Sequence, residues 1–490
     1  MHLLPVLLFL IMGSVQAGTG IQYIYLEGPT YDYFDYLITA NRLHPRFTLR
    51  QPYELQRDLS IDSTGRSGRY FHSYWRKYYK NDHAAFHLQA RDHLRYDETI
   101  LNRYKVQGGV QYVASHISLA NRITVDQDYK RDPFFAGDLS ESGHWLYGRV
   151  NEAFINLNAG PFDLFLGRIK RNWGVLDEYS LILSSNPYSY DHLLINYTTK
   201  YLKFSLIYGH LEDVTGRNFK FPDSLFRNAR KHLVGHRLDI RFSDNLQIGL
   251  TEMATYGGPG QDFEIAFMNP MNFYYPIQRN DRKEMNGLWA VDWFYRPRDK
   301  WTLWGQFLID DVIVNNDPGE DDRARFDDRL GLQVSLRAAD IPVRGWNFNL
   351  TYNRVWNRTY QSKFTWQNYH YRGYGLGYPC ASCEEVKLKI AYWEWFPFVM
   401  KNETIYGRYG EVSLTDLFPL TKEDFPIEPV QHNLVNELNL YYLFSPALHF
   451  HASATYRQKT SHYSNRYEER SRFVLKIGFS LLLDLKLAVN

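Results

Sequence analysis

The sequence predicts an all-β protein, a closed antiparallel outer-membrane β-barrel of about 16–18 strands with a small N-terminal helical segment. Three observations predict it: an export signal, a composition rich in aromatics yet hydrophilic on average, and a long run of two-residue alternation in which tight turns take turns with long connections.

Leu3 to Met12 is an apolar run, and the small residues leading to Ala17 complete the pattern of a secretory signal peptide. The run is too short to cross a bilayer, which takes about 20 apolar residues. Residues 1–17 are therefore read as a signal peptide. Residues 18–82 form an N-terminal periplasmic helical segment and 83–490 the transmembrane barrel. In the middle part Tyr31, Phe34, Leu37 and Ile38 recur at helical spacing, and Tyr70, Trp75 and Tyr78 mark a second candidate helix over residues 65–79.

The chain carries 39 Tyr, 31 Phe and 12 Trp, yet its mean hydropathy is only −0.46. A barrel with an apolar, aromatic-girdled outside and a polar lumen reconciles the two. A large soluble β-protein is the competing reading of composition alone. A net charge of +2 with no dense Lys/Arg tract gives no nucleic-acid partner.

After residue 82 the period becomes two. Leu202, Phe204, Leu206 and Tyr208 alternate with Lys203 and Ser205, and Leu238, Ile240 and Phe242 with Arg237, Asp239 and Arg241. Leu246 to Thr251, Trp346 to Asn353, Leu448 to Thr455 and Phe473 to Ser480 repeat the pattern, so each is a strand with one wet face. Turn chemistry joins them in pairs at residues 159–161, 199–200, 243–245, 297–299 and 445–447. Long connections separate the pairs at 171–190, 212–229, 257–284, 314–327, 359–385 and 396–431. Short turns at one end and long loops at the other are the barrel habit, so 159–162, Asp244 and Pro446 are expected on the periplasmic side and Gly258, Asp321 and Cys380 outside.

Few residues suggest chemistry. No nucleophile elbow, phosphate loop, dinucleotide fingerprint or zinc-protease motif is present, and no cofactor or metal is called for. His449, His451 and Ser453 share one strand face, where polar residues are expected in a lumen anyway. The acidic stretch 319–328 is interrupted by Arg323 and Arg325 and does not fit a calcium loop. Cys380 and Cys383 are the only cysteines; in an exported chain a local disulfide is the expected state, with a metal half-site or redox pair as the alternatives.

Aromatic and cationic residues gather in and beside the long loops: Arg168, Lys170, Arg171 and Trp173, then Tyr369, Tyr371, Arg372 and Tyr374. Sugar rings stack on aromatic faces, and acidic sugars pair with Arg forks. The alternative is an interfacial girdle meeting outer-membrane lipid and lipopolysaccharide.

The segment Phe165-Leu-Gly-Arg-Ile-Lys-Arg-Asn-Trp-Gly174, continuing through Leu181-Ile-Leu-Ser-Ser-Asn-Pro187 to Asp191, resembles capsule assembly proteins of the Wzi family. Residues 31–54, ending Arg50-Gln-Pro-Tyr-Glu54, are similar to that family's opening. The resemblance implies a monomeric barrel that binds or presents capsular or extracellular polysaccharide at the cell surface without catalysing a reaction. The residues placed on this role are Arg168, Arg171, Trp173, Asn186 and Tyr190. A passive porin-type channel and an outer-membrane lipid or glycan hydrolase are the rival functions.

Overall fold

Eighteen strands, each hydrogen-bonded antiparallel to the next in sequence, close into one barrel when the last pairs with the first. In this computed structural model the described residues are 23, 30–54, 68–71, 83–97, 99–135, 148–174, 179–217, 223–312, 328–419, 423–445, 447–463 and 466–488. The expected signal peptide, most of the second candidate helix and the acidic stretch 319–327 with Asp321 lie outside them.

The strands are β1 (His83–Asp97), β2 (Thr99–Val113), β3 (Ile117–Asp126), β4 (Arg149–Ala159), β5 (Phe162–Arg168), β6 (Asp191–Thr198), β7 (Leu202–Gly216), β8 (Phe226–Arg241) and β9 (Leu246–Pro259). They continue as β10 (Met285–Arg298), β11 (Trp301–Asp311), β12 (Arg329–Ala339), β13 (Trp346–Val355), β14 (Cys383–Tyr392), β15 (Phe398–Gly410), β16 (Val430–Ser445), β17 (Leu448–Tyr463) and β18 (Arg466–Ala488).

Alternation fixes which face is wet. On β5, Phe162, Leu164 and Leu166 point outward and are exposed, whereas Asp163 and Phe165 point inward and are buried. At the short-turn end outward rings pair along the wall, as Phe162 with Tyr197 and Phe398 with Tyr442, each 5.0 Å apart. These form the aromatic belt of a membrane interface.

One expectation needs correction. Residues 396–431 are not a single connection, because β15 runs through their first half. Its inward side carries Lys401 and Glu403 beside Val399 and Ile405, and its outward side carries Asn402 and Thr404 beside Met400 and Tyr406. Apolar and polar residues mix on both faces, so no clean period of two survives in the sequence.

The N-terminal segment enters the turn end of the lumen and does not stand apart from the barrel. Its helix α1 (Thr30–Thr39) is closed by Asn41, whose left-handed φ of 60° lets Arg42 N–H reach back to the Leu37 carbonyl at 2.8 Å. Tyr33 and Tyr36 pack on Trp393. Polar contacts complete the seat: Tyr36 donates to Asp340 at 2.8 Å, Asp35 pairs with Arg337, and Asp32 with Lys401. Buried ion pairs of this kind add little net stability, but removing one partner costs about 3–5 kcal/mol, so they fix one position for the helix.

From the opposite end, residues 169–174, 179–190 and 356–382 fold inward. Trp173 N–H donates to the Leu183 carbonyl at 2.8 Å, and the short pair Asn172–Trp173 bridges to Arg50–Gln51 of the N-terminal segment. The two plugs thus meet inside the barrel. The filling is eccentric. Against β8–β13 the inward residues Arg237, Asp292, Gln306, Gln333 and Arg337 are fully buried, whereas inward Arg457 and Arg472 on β17 and β18 remain exposed. A cavity of about 630 Å³ lies between α1 and the inner wall, lined by Asp32, Asp35, Lys389, Lys401, Glu403 and Arg457 among others.

Candidate polysaccharide-binding site

The five residues singled out from the sequence do not share one surface. Arg168 ends β5 on its outward face and pairs there with Asp191, Nε to Oδ1 2.9 Å. Arg171 is turned inward and buried, its Nε donating to His192 Nε2 at 2.7 Å and its guanidinium lying 4.4 Å from the Phe165 ring centre. Trp173 is 2% exposed and lies between two guanidinium groups, Arg50 at 5.0 Å and Arg237 at 5.8 Å. Arg237 in turn donates to both Asp239 and Asp292. Burial, cation–π contact and the ion pairs of Arg237 tie the Trp173 loop to the wall and leave no open face for a sugar ring.

Gly174 completes the anchor. Its φ of +126° excludes most side chains, and a Cβ there would meet Gln306 Nε2 at 2.3 Å. Gly174 N–H donates to the Leu49 carbonyl at 2.9 Å.

The same loop then rises to the outer surface, where the two aromatic clusters seen in the sequence meet. Tyr190 lies 5.5 Å from Tyr371, and Tyr188 lies 5.6 Å from Tyr374 edge to face. His370–Tyr371 pairs with Tyr374–Gly375 across a two-residue turn, Arg372 and Gly373, both with positive φ. That is the tight hairpin geometry that favours glycine. Gly373 also leaves room for Phe134, which a Cβ would meet at 2.5 Å. Asn186 stabilises the junction by donating to the Gly375 carbonyl at 3.0 Å.

A third segment, which the sequence reading missed, joins here. Residues 127–135 follow β3 and carry Tyr129, Asp132, Phe134 and Phe135. The Asp132 carboxylate accepts from the hydroxyls of both Tyr188 and Tyr374. Burial first, then this carboxylate, pushes both phenols above their ordinary pKa, so they remain donors. Tyr129 stacks on Phe135 at 4.7 Å, Phe134 lies 5.2 Å from Tyr374, and Arg149 sits 3.9 Å over Tyr188. Phe134 is exposed, and Tyr188, Tyr374 and Arg372 are half-buried. The signal for this segment was its density of aromatic and charged residues, Asp128 to Phe135, in a stretch without alternation.

The result is a platform of ring faces and edges with guanidinium groups at its margin. Such a surface suits the apolar faces of sugar rings and the carboxylates of acidic ones.

Elsewhere, His449, His451 and Ser453 stand in a row on the inward face of β17, and among the described residues no hydrogen bond joins Ser453 to either imidazole. Cys380 and Cys383 form a disulfide at the loop end of β14. No group of three or more His, Cys, Asp or Glu suited to a metal ion occurs among the described residues.

A family model described as capsule assembly protein Wzi matches residues 56–321, more than half of the chain. Among solved structures, the chain is similar to Wzi, described as an outer-membrane protein involved in group 1 capsule assembly in Escherichia coli and as a carbohydrate-binding β-barrel. The two are 12% identical, with 95% of this chain and 99% of that one covered and a TM-score of 0.61. The outer-membrane protein OpdK of Pseudomonas aeruginosa is 10% identical over 82% of this chain and 99% of its own, with a TM-score of 0.46. OccK5 (OpdH) of the same organism is also 10% identical, covering 82% and 98%, with a TM-score of 0.45. No curated protein matches the chain.

Proposed function

The chain belongs to the Wzi family of capsule assembly proteins and is an outer-membrane β-barrel, and from that premise we propose that it holds capsular or extracellular polysaccharide at the cell surface by binding, without catalysis. The observation that carries this reading is the platform of Tyr188, Tyr374, Phe134, Arg149 and Arg372, built from three loops and the first residue of β4 and mounted on a plugged barrel. Rings stack on sugar faces, and Arg372 and Arg149 pair with acidic groups. Arg171 and Trp173 form the buried frame beneath, while Asn186 and Tyr190 hold the platform to that frame. Arg168, on the outward wall, faces lipopolysaccharide headgroups.

The inward-folded loops support a binder over a porin-type channel, since together with α1 they occupy the lumen against β8–β13. The test is a glycan-array measurement on detergent-purified protein, paired with single-channel recording. Saturable glycan binding with little conductance is expected; stable open conductance without glycan binding points to the porin instead.

A further inference from the structure

Residues 260–284, between β9 and β10, fold back over the outside of the barrel wall. Their short helix α2 (Tyr274–Asn280) and the neighbouring Phe267 bury Tyr274, Ile277 and Phe267 against outward Val234, Ala254 and Tyr256. The wall beneath explains why a cover is needed. Along β9 the outward positions run Ile248, Leu250, Glu252. Leu250 is exposed in the apolar band, and Glu252, one pleat or about 7 Å further along the strand, is buried beneath the flap.

The Glu252 carboxylate accepts from Tyr274 N–H at 2.9 Å and Trp289 Nε1 at 2.7 Å, and lies 3.1 Å from His236 Nε2. Without the flap this outward carboxylate and imidazole would meet hydrocarbon or headgroups directly, where ionisable groups are costly. The flap's other side is apolar: Ile265 is 77% exposed, Met271 83% and Phe273 65%. Tyr275 lies 6.0 Å from Trp289, itself an exposed outward ring of the wall. Arg279 and Arg282 stand exposed at the margin.

We propose that residues 260–284 are a lipid-seated flap whose Ile265, Met271 and Phe273 insert among the acyl chains of the outer leaflet. The argument is continuity. The flap begins where the exposed apolar band of Leu250 and Val291 ends, and its large apolar side chains face away from the barrel on that same side. Arg279 and Arg282 match the phosphate-bearing headgroup layer, as on interfacial elements with an apolar face and a basic edge. The flap therefore extends the lipid contact of the barrel outward over β8–β10 and seals the Glu252–His236 pair from both solvents.

The experiment uses the full-length barrel with Met271→Cys or Phe273→Cys, labelled with a bimane fluorophore; Cys380 and Cys383 are disulfide-bonded and do not react. Leu250→Cys is the lipid reference and Thr415→Cys, exposed in an outer loop, the aqueous one. The labelled proteins are reconstituted in phosphatidylcholine vesicles with or without a nitroxide on the fifth acyl carbon. Quenching by nitroxide comparable to Leu250→Cys, with iodide quenching several-fold below Thr415→Cys, is expected. Iodide quenching equal to that of Thr415→Cys overturns the proposal, and so does shielding from both quenchers, which indicates a protein partner or second copy on the flap. Heat-modifiable migration checks folding, and Ile265→Cys repeats the test should either of the first two variants fail to fold.

Discussion

Gln306 holds Trp173 by its backbone: the side-chain Nε2 donates to the Trp173 carbonyl at 3.1 Å, while the same amide's Oε1 accepts from Leu181 N–H at 2.6 Å. A single fully buried side chain on β11 thus pins two points of the inward loop across the lumen. Gln306→Leu leaves both backbone groups without partners, at about 1–3 kcal/mol for each buried group left unsatisfied. Trp173→Ala removes a large buried side chain, at about 3–5 kcal/mol. Both variants are expected to loosen the plug while the eighteen-strand ladder persists, so conductance in planar bilayers should rise. Unchanged conductance in a correctly folded Trp173→Ala barrel would show that this loop does not close the lumen.

Much of the architecture was legible because a membrane barrel obeys two strict rules, alternation and asymmetric connections. Leu202 to Tyr208 and Trp346 to Asn353 are strands in the structure with the faces their spacing dictates. β15 was not legible, since its lumen face is half apolar and its outward face half polar. Within the site, the clusters around residues 168–190 and 369–374 were visible as composition. Their division of labour was not: Trp173 is read identically by stacking chemistry and by packing, and only the inward course of the loop shows that Arg50 and Arg237 occupy its surroundings. Tyr129 to Phe135 lay outside any repeat or motif and gained meaning only when Asp132 was seen between Tyr188 and Tyr374.

Acid should loosen the second inward loop. Burial, with Lys231 beside it, holds the His370 imidazole well below its ordinary pKa, and Gly373 N–H approaches its Nδ1 at 3.4 Å. Glu212 also faces it, 3.7 Å from Nδ1, while accepting from Arg372 N–H at 2.8 Å. Because the folded pKa is depressed for a cationic acid, the unfolded loop binds the extra proton first. Stability is fully present above the unfolded value of about 6.5 and falls as pH drops below it. Protection factors for amide exchange within residues 356–382, taken against the intrinsic rate at each pH, should therefore fall between pH 7.5 and 5. His370→Asn should flatten that dependence, and an equal loss of protection in this variant would remove His370 as the cause.

The disulfide is expected to matter locally. Cys380 and Cys383 close a loop of only a few residues, and the entropy removed from an unfolded chain by so short a closure is small. Cys383 already pairs with Val355 and Tyr409 in the barrel ladder. A Cys380→Ser, Cys383→Ser double variant should keep the heat-shifted migration of the folded barrel. Loss of that band after the double substitution would mean the bridge is needed for barrel assembly.

The platform can be separated from its frame by substitution. Tyr188→Ala and Tyr374→Ala each delete a half-buried ring at the outer surface, whereas Trp173→Ala deletes a sealed one. An aromatic contact is worth about 0.5–1.5 kcal/mol beyond the area it buries, and about 1.4 kcal/mol is a factor of ten in affinity. The double variant should therefore bind glycan about ten-fold or more weakly with its folded migration unchanged. Arg149→Gln tests the charged margin: it should weaken acidic glycans more than neutral ones, and that difference should shrink as salt is raised, because exposed charges are screened within about 8 Å at physiological ionic strength. Arg171→Ala with Trp173→Ala should behave otherwise, losing thermal stability and glycan retention together, since both residues lie inside the frame. Glycan retention that survives loss of both Tyr188 and Tyr374, in protein with normal surface levels, would move the binding surface away from this platform. Retention lost in the Arg171, Trp173 variant without any change in thermal stability would instead return the sugar contact to the inner loop.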